Sequence, residues 1–155
     1  MPVLDLLELP SGHSPIFGLD LGEKTIGVAV SDVMRSVATP VALIRKRKFT
    51  EEAGELFALM DGRNSQAIVI GLPLNMDGSE GTRCQSNRAF ARNLLRLREG
   101  LSIAFWDERM STMAVNRMLI DELDMTRARR AEVVDRAAAA YILQGALDRL
   151  AAAHA

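Results

Sequence analysis

The order of apolar and polar positions along the chain predicts five β-strands. Two apolar runs, residues 16–21 and 25–31, flank a three-residue turn and predict an antiparallel hairpin. Further apolar runs at residues 41–44, 67–70 and 101–106 are too short for helices and predict three more strands.

Apolar residues at helical spacing predict helices between and after these strands. A helix capped by Thr50 is expected to end at Gly62, and a second helix is expected over residues 79–99. The apolar stripe of the second helix is predicted to consist of Phe90, Leu94, Leu97 and Leu101. A third helix is expected after Ser111 or Thr112, and a last one at residues 131–150.

This order of elements predicts one α/β domain. A three-strand antiparallel meander is followed by alternating helices and strands, which implies a mixed five-stranded sheet flanked by helices. We expect the domain to span residues 14–150, with an N-terminal extension at 1–13 and a C-terminal tail at 151–155.

Composition excludes several classes of protein. The chain has 155 residues and a formal net charge of −1, so nucleic-acid binding would require a local patch and not bulk charge. One cysteine excludes an internal disulfide framework, and with only two histidines a zinc finger is excluded as well. The chain shows neither a signal peptide nor a membrane-length apolar run, so a cytoplasmic protein is expected.

Asp20 lies in the first apolar run, where a buried strand is predicted. Carboxylates are seldom buried unless they are paired or bind a metal. Alternation places Asp20 on one face with Ile16 and Gly18, and Gly22 lets a phosphate approach the following turn. A functional role is therefore favoured over the alternative, an Asp that only caps the turn.

The segment Asp107-Glu108-Arg109 directly follows the fifth predicted strand. Carboxylates at the end of a central strand point into the crevice where open α/β sheets bind ligands. Adjacent residues face opposite ways, so at most one of the two acids can join Asp20, and the pattern does not choose between them. The competing interpretation is an acid that stabilises the start of the next helix.

Asp135 lies in the last predicted helix, beside an apolar face that includes Ala138, Ala139 and Ile142. Small alanine side chains allow close packing on the sheet, which would hold this carboxylate near the ends of the strands. The alternative is a surface ion pair with Arg136.

Four segments of the chain carry these candidate residues. They are GLDLGEKTIGVAVSD (residues 18–32), IGLPLNMDGSEG (70–81), FWDERMST (105–112) and EVVDRAAAAYILQGALD (132–148). In this order and spacing they resemble the YqgF family of Holliday-junction resolvase-like proteins and pre-16S rRNA nucleases. The resemblance implies a ribonuclease H-like fold and a divalent-metal nuclease that acts in maturation of the small-subunit rRNA.

The resemblance also implies roles for individual residues. The catalytic and metal-binding acids would be Asp20, Glu108 and Asp135. Phosphate or nucleic-acid contacts would come from a second group of motif residues, Lys24, Asn75, Arg109, Ser111 and Thr112. The chain departs from the family pattern at position 82, where Thr replaces the expected Pro, and this affects the turn into the following helix.

Three carboxylates held together repel one another, and Mg²⁺ or Mn²⁺ would neutralise them through oxygen ligands. Two such ions, about 4 Å apart, would activate a water and stabilise the leaving oxygen, so no protein nucleophile is required. Lys24 and Arg109 would bind the phosphate. Asp32 is expected on the order of 20 Å along the hairpin from Asp20, too far to share a metal.

Basic residues form three clusters. Arg88, Arg92 and Arg96 recur every four residues and would form one face of the second helix. The other clusters are residues 45–48 and the group Arg127, Arg129 and Arg130. Together they predict contacts with a phosphate backbone, although a solvated helix face is the alternative. Seven aromatic residues are too few to predict a base-stacking platform.

The sequence leaves structured RNA and DNA junctions open as substrates, with ribosomal precursor particles as candidate partners. Two other functions compete. One is a lobe of an actin-like ATPase or sugar kinase, a fold that needs two such lobes around a nucleotide. The other is a non-catalytic RNA-binding factor for ribosome assembly, against which the presence of all three acids argues.

Overall fold

The structure is a computed structural model that describes residues 3–108 and 127–153, with the backbone alone for residues 127–136. Its five strands are Ile16–Leu21 (β1), Thr25–Ser31 (β2), Ala38–Arg45 (β3), Ala67–Leu72 (β4) and Ser102–Asp107 (β5). They form one sheet in the order β3-β2-β1-β4-β5. Strands β1, β2 and β3 are antiparallel neighbours, whereas β4 is parallel to both β1 and β5. The predicted mixed five-stranded sheet is confirmed.

Helices cover both faces of the sheet. Phe49–Asp61 (α1) and Thr82–Leu97 (α2) pack on one face, where Phe17, Leu19 and Ile70 contribute to the larger core. Arg127–Ala153 (α3) packs on the other face against Ile16, Val69 and other small or branched residues. None of the described helices is long and apolar enough to cross a membrane.

Glycine brings α3 unusually close to β1. A Cβ atom at Gly18 would lie 2.6 Å from the Cβ of Leu143 and 3.1 Å from the carbonyl oxygen of Ala139. Real Cβ atoms do not approach this closely, so the helix backbone can rest on the strand only because position 18 has no side chain.

Three sequence predictions differ from the structure in detail. Strand β3 begins at Ala38 and includes Pro40, which an edge strand tolerates, and its pairing shifts at a bulge between Val28 and Ala29. Helix α1 has Lys48 at its N-cap, not Thr50. Leu97 is 52% exposed and Leu101 lies beyond the end of α2, so neither belongs to the buried stripe of that helix.

The N-terminal segment is part of the folded structure. Leu4 forms a parallel bridge with Ala104 at the outer edge of β5, and its N–H donates to the Ile103 carbonyl at 2.8 Å. A short 3₁₀-helix follows at Leu6–Glu8, and Leu9 is buried against α3. The division of the chain at residue 13 stays a prediction.

Candidate active site

Asp20 lies on the face of the sheet that α3 covers. Asp20 lies two residues after Gly18, which contacts α3. Side chains two residues apart in a strand point to the same side, so Asp20 also faces α3. Asp20 is half-buried close to the carboxyl end of the strand. This is the edge at which parallel α/β sheets bind ligands.

Glu108 reaches the same face from β5. Its Oε2 atom lies 2.8 Å from the position that a Cβ would have at Gly71 of β4, and that position also faces Ile142 of α3. The backbone N–H of Glu108 donates to the carbonyl of Leu72 at 3.2 Å, which fixes the chain as it leaves the sheet. Of the two adjacent acids, Glu108 therefore is the one that faces the Asp20 side.

Gly71 separates the two acids. The parallel register pairs Leu19 with Ile70, so its continuation sets Asp20 beside Gly71. On the other side β4 is paired with β5 up to the residue before Glu108. Because position 71 carries no side chain, the two carboxylates face each other across β4.

The pKa of Glu108 reflects its closeness to Asp20. Burial raises the pKa of Glu108 to about 7, and the charges of Asp20 and Asp107 act in the same direction. The guanidinium of Arg83 opposes the shift and lowers the pKa. A carboxyl group that resists ionisation beside another carboxylate is typical of a site that binds a cation or transfers a proton.

Two residues of α2 support this edge. Arg83 donates from Nη2 to the carbonyl of Leu21 at 3.3 Å, directly after Asp20 in β1. Asn87 is buried and donates from Nδ2 to the carbonyl of Gly71 at 2.9 Å. Helix α2 thereby ties β1 and β4 together beneath the carboxylates.

These supporting residues were missed as site residues by the sequence prediction, although each leaves a signal. Gly71 interrupts a strand of β-branched residues, which marks a close approach. Asn87 is a polar residue among the buried positions of α2 and needs a partner there. Arg83 is the first of five arginines after Gly81, but it lies outside their four-residue repeat.

Lys24 and Asn75 lie in exposed loops at the same edge of the sheet. The carbonyl of Lys24, in the turn between β1 and β2, accepts from the N–H of Lys46 at 2.9 Å. Asn75 folds the loop after β4, since its Nδ2 donates to Ser79 Oγ at 3.0 Å and its N–H to the Ser79 carbonyl at 2.9 Å. Their predicted phosphate contacts stay predictions.

The predicted arginine face on α2 is only partly open. Arg88 forms two hydrogen bonds of 2.7 Å with Glu80, and its Cζ atom lies 5.0 Å from the centre of the Phe105 ring. Arg92 and Arg96 are exposed. Glu80 lies within the helix predicted over residues 79–99, but the observed helix begins at Thr82, and Glu80 reaches Arg88 from the preceding loop.

Several predicted site residues lie outside what the structure describes. These are Arg109, Ser111 and Thr112, together with the side chain of Asp135 and those of Arg127, Arg129 and Arg130. Asp32 is described, and it lies at the far end of the hairpin, where it stabilises the turn after β2. Its carboxylate accepts from the N–H groups of Ser36 at 2.7 Å and Val37 at 3.0 Å, which lower its pKa.

The donor set at this edge suits a divalent cation. Within residues 3–108 and 137–153, no three His, Cys, Asp or Glu side chains are grouped closely enough to hold a metal. Asp20 and Glu108 nevertheless supply two facing carboxylates, and hard cations prefer such oxygen ligands. Burial and the charge of Asp20 both raise the pKa of Glu108, and a bound cation would favour its ionised form.

Comparison with known proteins connects this geometry to a family. The family described as RuvX, Holliday junction resolvase, matches residues 14–149. The chain belongs to the RuvX/YqgF family. It is 72% identical to a Phenylobacterium zucineum protein named "Putative pre-16S rRNA nuclease", over 97% of this chain and 98% of that protein. A Caulobacter vibrioides protein of the same name is 63% identical over the same shares.

The fold also resembles that of a solved structure with little sequence similarity. The Holliday junction resolvase of fowlpox virus matches with a TM-score of 0.52 and 10% identity. The match covers 88% of this chain and 99% of the viral chain. The resemblance to a ribonuclease H-like resolvase fold, implied by the four sequence motifs, is thus confirmed.

Proposed function

We propose that this RuvX/YqgF protein is a divalent-metal-dependent nuclease that hydrolyses phosphodiester bonds in pre-16S rRNA. The observation that carries the proposal is the facing of Asp20 and Glu108 across Gly71, at the ligand-binding edge of the sheet. The names of the relatives with 72% and 63% identity support the substrate. Such an activity would operate in the cytoplasm, on precursor RNA or precursor ribosomal particles.

Asp135 completes the proposed set of acids. Gln144 of α3 contacts Ser36 and Ala38 near the amino end of β1, so the helix runs toward the carboxyl end of that strand as residue numbers fall. Residue 135 precedes Ala139 by one helical turn, about 6 Å. Asp20 lies two residues beyond Gly18, which also is about 6 Å. This agreement along the backbone supports a third carboxylate at the level of Asp20.

The chain's own groups divide the work of the reaction. Mg²⁺ or Mn²⁺, when bound, would supply the charge that activates a water and stabilises the leaving oxygen. Asp20 and Glu108 would hold that charge in place, with Asp135 as the third ligand. Arg83 would stabilise negative charge on the phosphate, together with Lys24 and Arg109. Asn75, Ser111 and Thr112 would contact the nucleic acid around the scissile bond.

A nuclease for branched DNA is the second candidate. The description of the family as a Holliday junction resolvase and the likeness to the viral resolvase fold favour it. Arg88, Arg92 and Arg96 on α2 would then contact the backbone of a second duplex arm, as they would in a folded RNA.

The test is direct. Purified protein is incubated with a pre-16S-like RNA and with a four-way DNA junction, each with Mg²⁺, with Mn²⁺ and with chelator. We expect cleavage of the RNA with either metal and none with chelator. Cleavage that persists in excess chelator would exclude the metal mechanism, and binding without cleavage would favour a non-catalytic assembly factor. Asp135→Asn should abolish cleavage without lowering the metal-free melting temperature.

A further inference from the structure

A cleft of about 520 Å³ opens at the edge of the sheet that carries the carboxylate pair. It lies between the turn after β1, the segment that follows β3 and the first three turns of α2. Leu21, which follows Asp20, lines it, and so does Arg83, whose charge acts on Glu108. Leu21 faces the opposite side of β1 from Asp20, so the cleft lies on the α1 and α2 face of the sheet and opens at the same edge as the candidate active site.

A buried glutamate holds a lysine at the rim of the cleft. Glu52 is 2% exposed, and its Oε2 atom accepts from the N–H of Arg47 at 2.7 Å. Its Oε1 atom lies 3.6 Å from Lys46 Nζ, which is also 5.5 Å from the centre of the Phe90 ring. The N–H of Lys46 donates in turn to the carbonyl of Lys24. Lys46 is thus fixed in position before any ligand arrives.

The lining favours a phosphate backbone over a free base. Three cationic side chains line the cleft against two acidic ones, namely Lys46, Arg47 and Arg83 against Glu23 and Glu52. Ser86, Asn87 and Asn93 supply neutral polar groups. The Phe90 ring is 8% exposed and packed edge-on against Phe49, so it offers no open face for base stacking. Pockets of about 300–1,000 Å³ bind small molecules, and the volume of this one suits about one or two nucleotides.

The cleft and the arginine face lie on different sides of α2. At about 100° per residue, the side chains that line the cleft are centred about 140° around the helix from Arg88, Arg92 and Arg96. The contact of Arg88 with Phe105 turns that face toward β5, whereas the cleft opens toward β1 and β3.

We propose that the strand being cut continues from the scissile phosphate into this cleft, where Lys46 and Arg83 bind its backbone phosphates. The inference rests on the proposed nuclease function and assigns the path of the substrate strand. The arginine face of α2 is left for a second arm of a folded or branched nucleic acid.

Adjacent residues of α2 provide a matched test. Ser86 lines the cleft, whereas Gln85 is exposed as well but lies on the side of the arginine face. Binding of a fluorescent single-stranded RNA hexanucleotide is measured by anisotropy, with Ca²⁺ in place of Mg²⁺ to prevent cleavage. Ser86→Glu should weaken binding at least tenfold, and Gln85→Glu should weaken it less than threefold. The reverse order would overturn the proposal, and so would equal effects.

Salt dependence provides the second measurement. The double variant Lys46→Gln/Arg83→Gln should lower the slope of log affinity against log salt by about 1.4, since each contact with a single strand contributes about 0.7. Arg63→Gln/Arg149→Gln removes the same charge from exposed positions elsewhere and should leave the slope unchanged. An unchanged slope in the cleft variant would contradict the proposed contacts.

Two further measurements are displacement of the hexanucleotide by a free nucleotide and metal-dependent cleavage. If adenosine monophosphate displaces the hexanucleotide at equal concentration, the cleft is a mononucleotide site and the strand path is wrong. Absence of hexanucleotide binding by the unmodified protein would overturn the inference as well. Binding in the cleft without metal-dependent cleavage would instead overturn the proposed function alone.

Discussion

The Oε2 atom of Glu108 lies 2.8 Å from the position that a Cβ atom would occupy at Gly71. The closeness of the carboxylate to Asp20 thus depends on a missing side chain in the strand between them. The same vacant position faces the tip of Ile142, so β4 and α3 both adapt to the site. Three substitutions of glycine by alanine test this geometry.

Gly71→Ala should impair catalysis more than folding. The atoms that a new methyl group would meet belong to the flexible ends of Glu108 and Ile142, which can move aside at a cost of about 1 kcal/mol. Moving Glu108 should nevertheless reduce cleavage at least tenfold. Denaturant unfolding and cleavage of the RNA are the two measurements.

Substitutions at two other glycines serve as controls for Gly71→Ala. Gly54→Ala in α1 meets nothing within 4 Å and should stabilise the protein by up to about 1 kcal/mol, with unchanged cleavage. Gly18→Ala would press on the backbone oxygen of Ala139, which cannot move aside, and should destabilise by more than Gly71→Ala. Unimpaired cleavage in Gly71→Ala would show that Glu108 does not need this position.

Stability of the metal-free protein should depend on pH through Glu108. Its pKa is raised from 4.5 to about 7 on folding, so the native state binds the proton more tightly than the unfolded state. This contribution is fully present below about pH 4.5 and is lost as the pH rises through 7. Because the side chain is partly exposed, solvent screening reduces the effect to about 1–2 kcal/mol.

Glu108→Gln should therefore remove this decline and unfold at a higher denaturant concentration than the unmodified protein at pH 8. The difference should disappear at pH 4.5, and Glu99→Gln, an exposed change, should show neither effect. Adding Mn²⁺ at pH 8 should restore stability to the unmodified protein but not to Glu108→Gln. Parallel pH curves for the unmodified protein and Glu108→Gln would argue against the raised pKa.

Asp20→Asn should separate electrostatics from catalysis. The change removes the charge that raises the pKa of Glu108, so the metal-free protein should melt no lower than the unmodified one. Cleavage should fall by orders of magnitude, since a proposed metal ligand is lost. A lower melting temperature with cleavage retained would make Asp20 a structural residue and remove it from the site.

Glu80→Gln should release Arg88. The pair of charged hydrogen bonds between Arg88 and Glu80 lowers the pKa of Glu80, and it competes with any phosphate for the same guanidinium. If the arginine face binds a second arm, affinity for a four-way junction should rise several-fold, with a steeper salt dependence. Binding of the hexanucleotide should not change, and an unchanged junction affinity would show that Arg88 is structural.

Much of this arrangement could be predicted because it depends on local pattern. Apolar runs and their alternation were sufficient for five strands and for the placement of Asp20 on one face with Ile16 and Gly18, the face that α3 covers in the structure. Alternation could not choose between Asp107 and Glu108, since that choice depends on how the chain leaves β5. In the structure, the space at Gly71 and the hydrogen bond between Leu72 and Glu108 place Glu108, not Asp107, on the Asp20 side.

Contacts between distant segments were beyond the reach of the sequence. The bond of Asn87 to the Gly71 carbonyl joins α2 to β4, and the cleft appears only when three segments pack together. Likewise, the four-residue spacing of Arg88, Arg92 and Arg96 predicted an exposed basic face. Arg88 instead pairs with Glu80, whose position depends on the path of the preceding loop.

The bridge between Leu4 and Ala104 has a consequence for self-association. An open sheet has two outer strands whose unpaired backbone groups can recruit a strand from another molecule, which is a route to aggregation. Pro40 removes one donor from β3, the outer strand on one side. On the other side Leu4 occupies part of β5, so the first residues protect a margin of the sheet that would otherwise be open to a neighbouring chain.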